Sequence, residues 1–239
     1  DLPLEADVLQ ELAIGGDPAE GNFVNRGDIE VSFTGPPGRI LVETRRFTSA
    51  RDASEAAWSF AQLSLYTQPG DVVPPQASGT EPCTEVWRDG CKLRAYFDGI
   101  QQPTRDGMDI RVTLPPRSVE QLVVTTTDSA ADEEYPNRGD VTIRGLERSA
   151  QILTGSGRTH VELGAEAEGS LSALTRGAGD MELVLPSGLW VEAELRNGQE
   201  GENPCEPVID CGGGGTCIAS QEEPGSPWDY DVIAHEGEG

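Results

Sequence analysis

The side chains that could do covalent or metal chemistry here are few: five cysteines (Cys83, Cys91, Cys205, Cys211 and Cys217) and two histidines, His160 and His235. The cysteines fall into two local clusters within Pro- and Gly-rich stretches. Zinc would need four nitrogen or sulfur ligands at close spacing, and neither cluster has a histidine nearby. Exported proteins staple such loops with disulfides. The expected pattern is a Cys83–Cys91 bridge, turned by Asp89-Gly90, and one bridge among Cys205, Cys211 and Cys217 across the Gly212–Gly215 run. The odd count leaves one thiol over.

Hydrolytic chemistry would need paired carboxylates. Glu162, Asp180, Glu182, Glu192 and Glu194 could line one exposed sheet as an acidic stripe, the arrangement a polysaccharide-cleaving enzyme would use. The plainer reading is a solvated face, because these residues alternate with Val161, Leu163, Leu183, Val191 and Ala193. His160 reads as a solvent-facing strand residue. There is no Gly-x-Ser-x-Gly elbow, no His-Glu-x-x-His and no phosphate loop. No cysteine lies near a histidine in sequence. The expectation is a protein without catalytic residues or a cofactor. Carboxylates suit Ca2+, but an Asp-x-Asp-x-Asp-Gly loop and a Gly-Gly-x-Gly-x-Asp repeat are both missing, and Asp229-Tyr230-Asp231 alone is thin support. Arg26-Gly27-Asp28 and Arg138-Gly139-Asp140 spell an adhesive tripeptide twice. Each stands directly before a strand pattern, so glycine as a turn and aspartate as a strand start account for both.

With 42 acidic and 17 basic residues the formal charge is −25. Such a surface repels nucleic acid and anionic lipid, and favours basic partners or plain solubility. No stretch approaches the roughly 20 apolar residues of a membrane span. The chain starts at Asp1 without Met, which fits a removed secretion signal or a trimmed boundary. Gly (29) and Pro (17) are abundant and aromatics are only 5%. That balance belongs to short strands and frequent turns.

Residues 1–22 read as an arm, either a short helix with Leu4, Val8, Leu9 and Leu12 on one face or an extended segment. Ile29, Val31 and Phe33, then Ile40, Val42 and Thr44, alternate around Gly35-Pro36-Pro37-Gly38, as in a hairpin or two successive rungs. Over 49–65 the pattern predicts a helix, capped by Ser49 or Asp52, with Ala57, Trp58, Ala61 and Leu65 as its stripe. Residues 69–91 read as a loop insertion. Strand patterns follow at 92–97 and 108–114.

From about 119 short strands recur with glycine turns. Asp140, His160 and Asp180 are 20 residues apart, and Thr154, Thr175 and Arg196 are 21 apart. A fixed period near 20 is the signature of a β-solenoid; an antiparallel sandwich of hairpins is the alternative. The rungs should turn Val141, Ile143, Ile152, Val161, Leu163, Leu171, Met181, Leu183, Leu185 and Val191 inward. Residues 200–239 hold ten acidic residues and no Lys or Arg. Trp228, Tyr230, Val232 and Ile233 could anchor this tail as a clasp, on its own stack or on a neighbouring copy. The domains expected are thus an arm (1–22), a solenoid (23–198, with the 69–91 insertion) and an acidic, Cys-containing tail (199–239).

Three stretches together resemble a bacterial adhesin-like family built on repeated Gly-Asp-Val-x-Val rungs and related to autotransporter-adhesin heads. One runs from Arg26-Gly27-Asp28-Ile29-Glu30-Val31 to Ile40-Leu41-Val42-Glu43-Thr44-Arg45-Arg46. The second is the helix after it. The third runs from Met108 to Pro115, then through Gly139-Asp140-Val141-Thr142-Ile143-Arg144-Gly145, Thr154-Gly155-Ser156-Gly157 and Gly179-Asp180-Met181-Glu182-Leu183. The resemblance covers roughly 23–66 and 92–198. It implies an all-β, right-handed β-helix-like fold, exported or membrane-tethered, with no catalytic motif. The function expected is a structural or adhesive scaffold, secreted, periplasmic or at the cell surface, acting through self-association or a protein partner. A carbohydrate-active enzyme on the same fold and an envelope binding module that grips through its insertion loops are the alternatives.

Overall fold

Among the described residues, runs of alternating β-branched and polar residues, cut by glycine and proline, make strands and one helix. A computed structural model of the protein describes residues 2–3, 8–15, 27–69, 91–97, 106–126, 139–155, 157–175, 181–186, 191–197, 208–210, 216–221 and 229–235. In chain order the elements are β1 (Leu2–Pro3), β2 (Leu9–Gly15), β3 (Ile29–Ser32), β4 (Arg39–Thr48), α1 (Ala53–Gln62), β5 (Leu63–Pro69), β6 (Cys91–Phe97), β7 (Asp106–Thr113) and β8 (Val119–Thr125). They continue as β9 (Val141–Leu146), β10 (Ser149–Thr154), β11 (Thr159–Leu163), β12 (Leu171–Thr175), β13 (Met181–Val184), β14 (Val191–Asn197), β15 (Val208–Asp210), β16 (Thr216–Gln221) and β17 (Asp229–His235).

The strands form two sheets. The eight-stranded sheet has the order β1-β4-β7-β3-β9-β11-β13-β15, and the nine-stranded sheet the order β16-β17-β14-β12-β10-β8-β2-β6-β5. From β8 to β15 consecutive strands alternate between the sheets. From β10 onward each pairs in parallel with the strand two places earlier, while β8 pairs with β2 and β9 with β3: Val141, Thr159 and Met181 stand side by side in one sheet, and Ala150, Leu171 and Ala193 in the other. Antiparallel strands close both ends, with β1 on β4, β4 on β7 and β5 on β6 at one, and β14–β17–β16 at the other.

One hydrophobic cluster draws on both sheets. Val141, Ile143, Ile152, Val161, Leu163, Leu171, Met181, Leu183 and Leu185 are all buried; the Val191 side chain lies outside the described set. The cause is strand period: a one-residue slip would expose the whole apolar row. Buried threonines satisfy one another, with Thr154 Oγ1 at 3.2 Å from Thr159 Oγ1. A cavity of about 10 Å³ lies among Thr159, Val161, Leu171, Ala173, Met181 and Leu183, space for one water at most.

Several expectations are corrected. Residues 9–15 form neither a helix nor a free arm: β2 lies between β8 and β6, with Leu9 and Leu12 fully buried. Leu9 and Leu12 have helical spacing whereas Leu12 and Ile14 alternate, and the place between β8 and β6 settles the segment as a strand. β3 and β4 are not a hairpin, because β7 lies between them. Period-two patterning fixes a strand's faces, not its partner. The fixed 20-residue row does not hold either. His160 stands opposite Thr142 and Glu182 rather than between Asp140 and Asp180, because the connections differ in length. The 21-residue row holds from Thr154 to Thr175 and ends on Asn197, not Arg196.

The helix is shorter than its pattern. Asp52 caps it, accepting from the N–H groups of Ser54 and Glu55, each at 2.9 Å. Three of its four expected stripe residues face outward, with Trp58 50% exposed and Ala57 and Ala61 exposed too; Leu65 lies beyond the helix in β5, partly buried against the core. Ser59 and Leu63 are the buried pair, and α1 packs on β4 and β5. The 70–90 part of the insertion lies outside the described residues. Its flanks, Pro69 and Cys91, are cross-strand partners, so it leaves and re-enters the fold at one point.

Candidate interaction face

The Gly-Asp pairs build a corner that runs from turn to turn. A side chain on Gly27 would lie 2.0 Å from the Met108 carbonyl oxygen, and one on Gly157 2.1 Å from that of Gly139. Only glycine admits so close an approach. The aspartates then bond across turns. Asp109 Oδ1 accepts the N–H of Asp28 (3.2 Å), Asp28 Oδ1 that of Asp140 (3.0 Å) and Asp140 Oδ1 that of Arg158 (2.8 Å). In both adhesive-looking tripeptides the carboxylate therefore serves the neighbouring turn. Arg26 and Arg138 lie outside the described residues.

Beside this corner, the outward positions of the eight-stranded sheet carry alternating charge. Glu43, Arg111, Glu30, Thr142, His160 and Glu182 form one cross-strand row. Thr113, Ser32, Arg144 and Glu162 form the next. Glu30 is held by two guanidiniums, Arg111 at 2.8 Å and Arg144 on the other side. Burial pushes the Glu30 carboxyl up, but the Arg111 and Arg144 hydrogen bonds and charges outweigh it and hold it below its ordinary value. Glu182 takes His160 Nδ1 at 2.9 Å and Arg158 Nη2 at 2.6 Å. The His160 hydrogen bond, with Arg158 adding to it, holds the Glu182 carboxyl below its usual range. At one end of the face Arg45 clamps Asp109 at 2.6 Å.

The acidic stripe is divided. Glu162 and Glu182 lie on the eight-stranded sheet, whereas Glu192 and Glu194 belong to β14 of the nine-stranded sheet. One stripe on a single sheet cannot hold both pairs, because alternate strands go to different sheets. Asp180 lies outside the described residues. Among the described residues no three His, Cys, Asp or Glu side chains are grouped to hold a metal ion, and no helix is long and apolar enough to cross a membrane.

Cys91 opens β6 and Cys217 lies in β16, both on strands rather than in loops; Cys83, Cys205 and Cys211 lie outside the described residues. No disulfide is present among the described residues. Seven strand spacings separate β6 from β16 in the nine-stranded sheet, about 34 Å at ~4.8 Å each, so Cys91 and Cys217 cannot pair within one chain. Of the tail anchors, Trp228 lies outside the described residues. Tyr230 and Val232 stand in register with Leu195 and Ala193, in the rows of buried Ala173 and Leu171; Ile233 pairs with Glu192 at the opposite parity. The tail thus adds β17 to its own sheet.

The arginines of this face were not among the expected site residues. Their signal was an outward charge two positions from the next outward residue, as in Glu30-Val31-Ser32 and Arg111-Val112-Thr113. Complementarity becomes readable only once the partner strand is known.

No protein-family model matches the chain, and no curated protein matches it. Among solved structures it is similar to a putative cell adhesion protein from Clostridium sporogenes ATCC 15579, at 12% identity and a TM-score of 0.42, over 80% of this chain and 72% of that one.

Proposed function

We propose that this chain is a two-sheet β-solenoid that works outside the cytoplasm as a non-enzymatic structural or adhesive module. The observation that carries the reading is the in-register parallel stacking of turns from β8 to β14 beside a continuous charged face. Each turn extends both sheets, so the same corner and the same ion-pair rows recur along the stack. A surface of this kind offers area and pattern, and the small cavity among Thr159, Leu171 and Met181 would not admit a ligand. The charge of −25 keeps such a module soluble and turns it toward protein or basic surfaces rather than nucleic acid. Local disulfides in the two cysteine clusters are part of the proposal, since export is where such bridges persist.

The test sets adhesion against catalysis. Purified protein is incubated with cell envelopes of its source and, separately, with a panel of polysaccharides. The expected result is retention on envelopes with no release of sugar. Release that is abolished by Glu162→Gln or Glu182→Gln would overturn the reading.

A further inference from the structure

The two edges of the nine-stranded sheet are β5, reading LSLYTQP, and β16, reading TCIASQ. Neither holds a charged residue. The eight-stranded sheet ends differently, on a two-residue β1 that includes Pro3 and a three-residue β15 that includes Asp210. Short length, proline and charge are the devices that stop a sheet edge from pairing with another chain. β16 has none of them, and β5 has only its terminal Pro69. Among the described residues no strand pairs on the outer side of either.

Strand direction makes these edges complementary. β16 is antiparallel to β17, which is antiparallel to β14, so β16 runs with the parallel set. β5 is antiparallel to β6, which is parallel to β2, so β5 runs against that set. A second copy stacked in the same orientation would therefore lay its β5 antiparallel to β16, in the more stable ladder geometry.

Charge favours the same arrangement. At the β5 end, β4 carries Arg39, Arg45 and Arg46 against Glu43, and β6 carries Lys92 and Arg94 with no acid. Arg51, with Asp52 and Glu55 beside it, and half-exposed Trp58 belong to this end too, since α1 joins β4 to β5; the charges named here still sum to a basic end. At the other end β15, β16 and β17 carry Asp210, Asp229 and Asp231 and no Lys or Arg. Residues 200–239 as a whole hold ten acids and no Lys or Arg. Two-fold pairing of β16 with β16, or β5 with β5, would set like charges together, which costs affinity.

We infer that copies of this chain associate head to tail, with β16 of one added to β5 of the next, so that the nine-stranded sheet continues across the junction. This deepens the scaffold reading above and rests on it. Such a contact is heterologous and does not close on itself, so it propagates into a linear array unless rotation makes a ring. The mode is strand addition, in which main-chain hydrogen bonds supply the affinity.

The experiment uses the full chain and two edge variants, Ser220→Lys in β16 and Ser64→Lys in β5, each placing a charge on one edge. Folding of each is checked by circular dichroism, and mass is followed by sedimentation across a concentration series. The buffer is at physiological ionic strength, where the Debye length of about 8 Å suppresses the long-range repulsion between acidic copies. The wild-type chain should form open-ended oligomers, and each variant alone should stay monomeric. A mixture of the two variants should give one-to-one dimers and nothing larger, since each retains the edge the other has lost. Wild-type protein that stays monomeric, variants that still oligomerise alone, or a mixture that yields no dimer would each overturn the inference. Monomeric protein that still adheres to envelopes would sink head-to-tail assembly and leave the scaffold reading standing, whereas loss of adhesion would sink both.

Discussion

The Asp28 carboxylate accepts the backbone N–H of Asp140 at 3.0 Å, across 112 residues of chain. This bond ties the N-terminal turn to the middle of the stack. Asp28→Ala leaves the Asp140 N–H without that acceptor. A charge-assisted hydrogen bond contributes about 1.5–3 kcal/mol, and solvent access to this exposed corner places the expected loss at the lower end. Asp28→Asn keeps an acceptor and should lose less than half as much. Urea denaturation of the two variants checks the order; equal losses would show that the acceptor is not what matters.

Leu183 is 2% exposed within the shared core. Leu183→Ala should cost about 2–5 kcal/mol, the transfer loss plus an unfilled cavity. Glu43→Ala, on the solvated face, should shift stability by less than about 0.5 kcal/mol. A denaturation midpoint that moved equally for both would contradict the assignment of inner and outer faces.

Glu30 and Glu182 both have folded-state carboxyls held below the ordinary value of 4.5. The folded chain therefore binds fewer protons than the unfolded chain just below that pH. Their contribution to stability is present above about pH 4.5 and is lost as the pH falls through the depressed folded values. Glu30→Gln should flatten this acid-side decline while costing about 0.2–1 kcal/mol at neutral pH, since the pair is partly exposed. Stability measured from pH 7 to pH 3 checks both; an unchanged slope in the variant would show that Glu30 does not carry the linkage.

The inward rows were legible because hydrophobic alternation is a local property: Val141, Ile143 and Val161 declare their side from neighbours alone. The partner of each strand was not legible. β2 reads as a helix or an extended arm until β6 and β8 leave a place between them, and β3 reads as half a hairpin or one of two successive rungs until β7 intervenes. Trp58 misled for a related reason. Its stripe has helical spacing, yet the helix buries Ser59, and Leu63 just past its end opens β5 as the other buried side chain. The ion-pair face was invisible for want of register, since Glu30 and Arg144 become neighbours only through the pairing of β3 with β9.

The cysteines should give two local bridges and one thiol, with Cys91 joined to Cys83 and Cys217 to Cys205 or Cys211. Cys211 follows directly on β15 of one sheet and Cys217 lies in β16 of the other, so a bridge between them would staple the two sheets at that end. Closing a loop this short contributes about 2–3 kcal/mol. Alkylation without reductant, followed by peptide mapping, should find a single modified cysteine; five modified cysteines would refute both bridges.

Parallel stacking of alternate strands underlies both sheets and the charged face, and Gln151 against Ser172 tests it most directly. These outward residues of β10 and β12 are register partners, at a strand spacing of about 4.8 Å that a disulfide can span. His160 follows Gln151 more closely in sequence but belongs to the opposite sheet. The account predicts that Gln151→Cys with Ser172→Cys cross-links on mild oxidation, read by peptide mapping, and that Gln151→Cys with His160→Cys does not. A 151–160 link without a 151–172 link would place neighbouring strands in one sheet and contradict the stack.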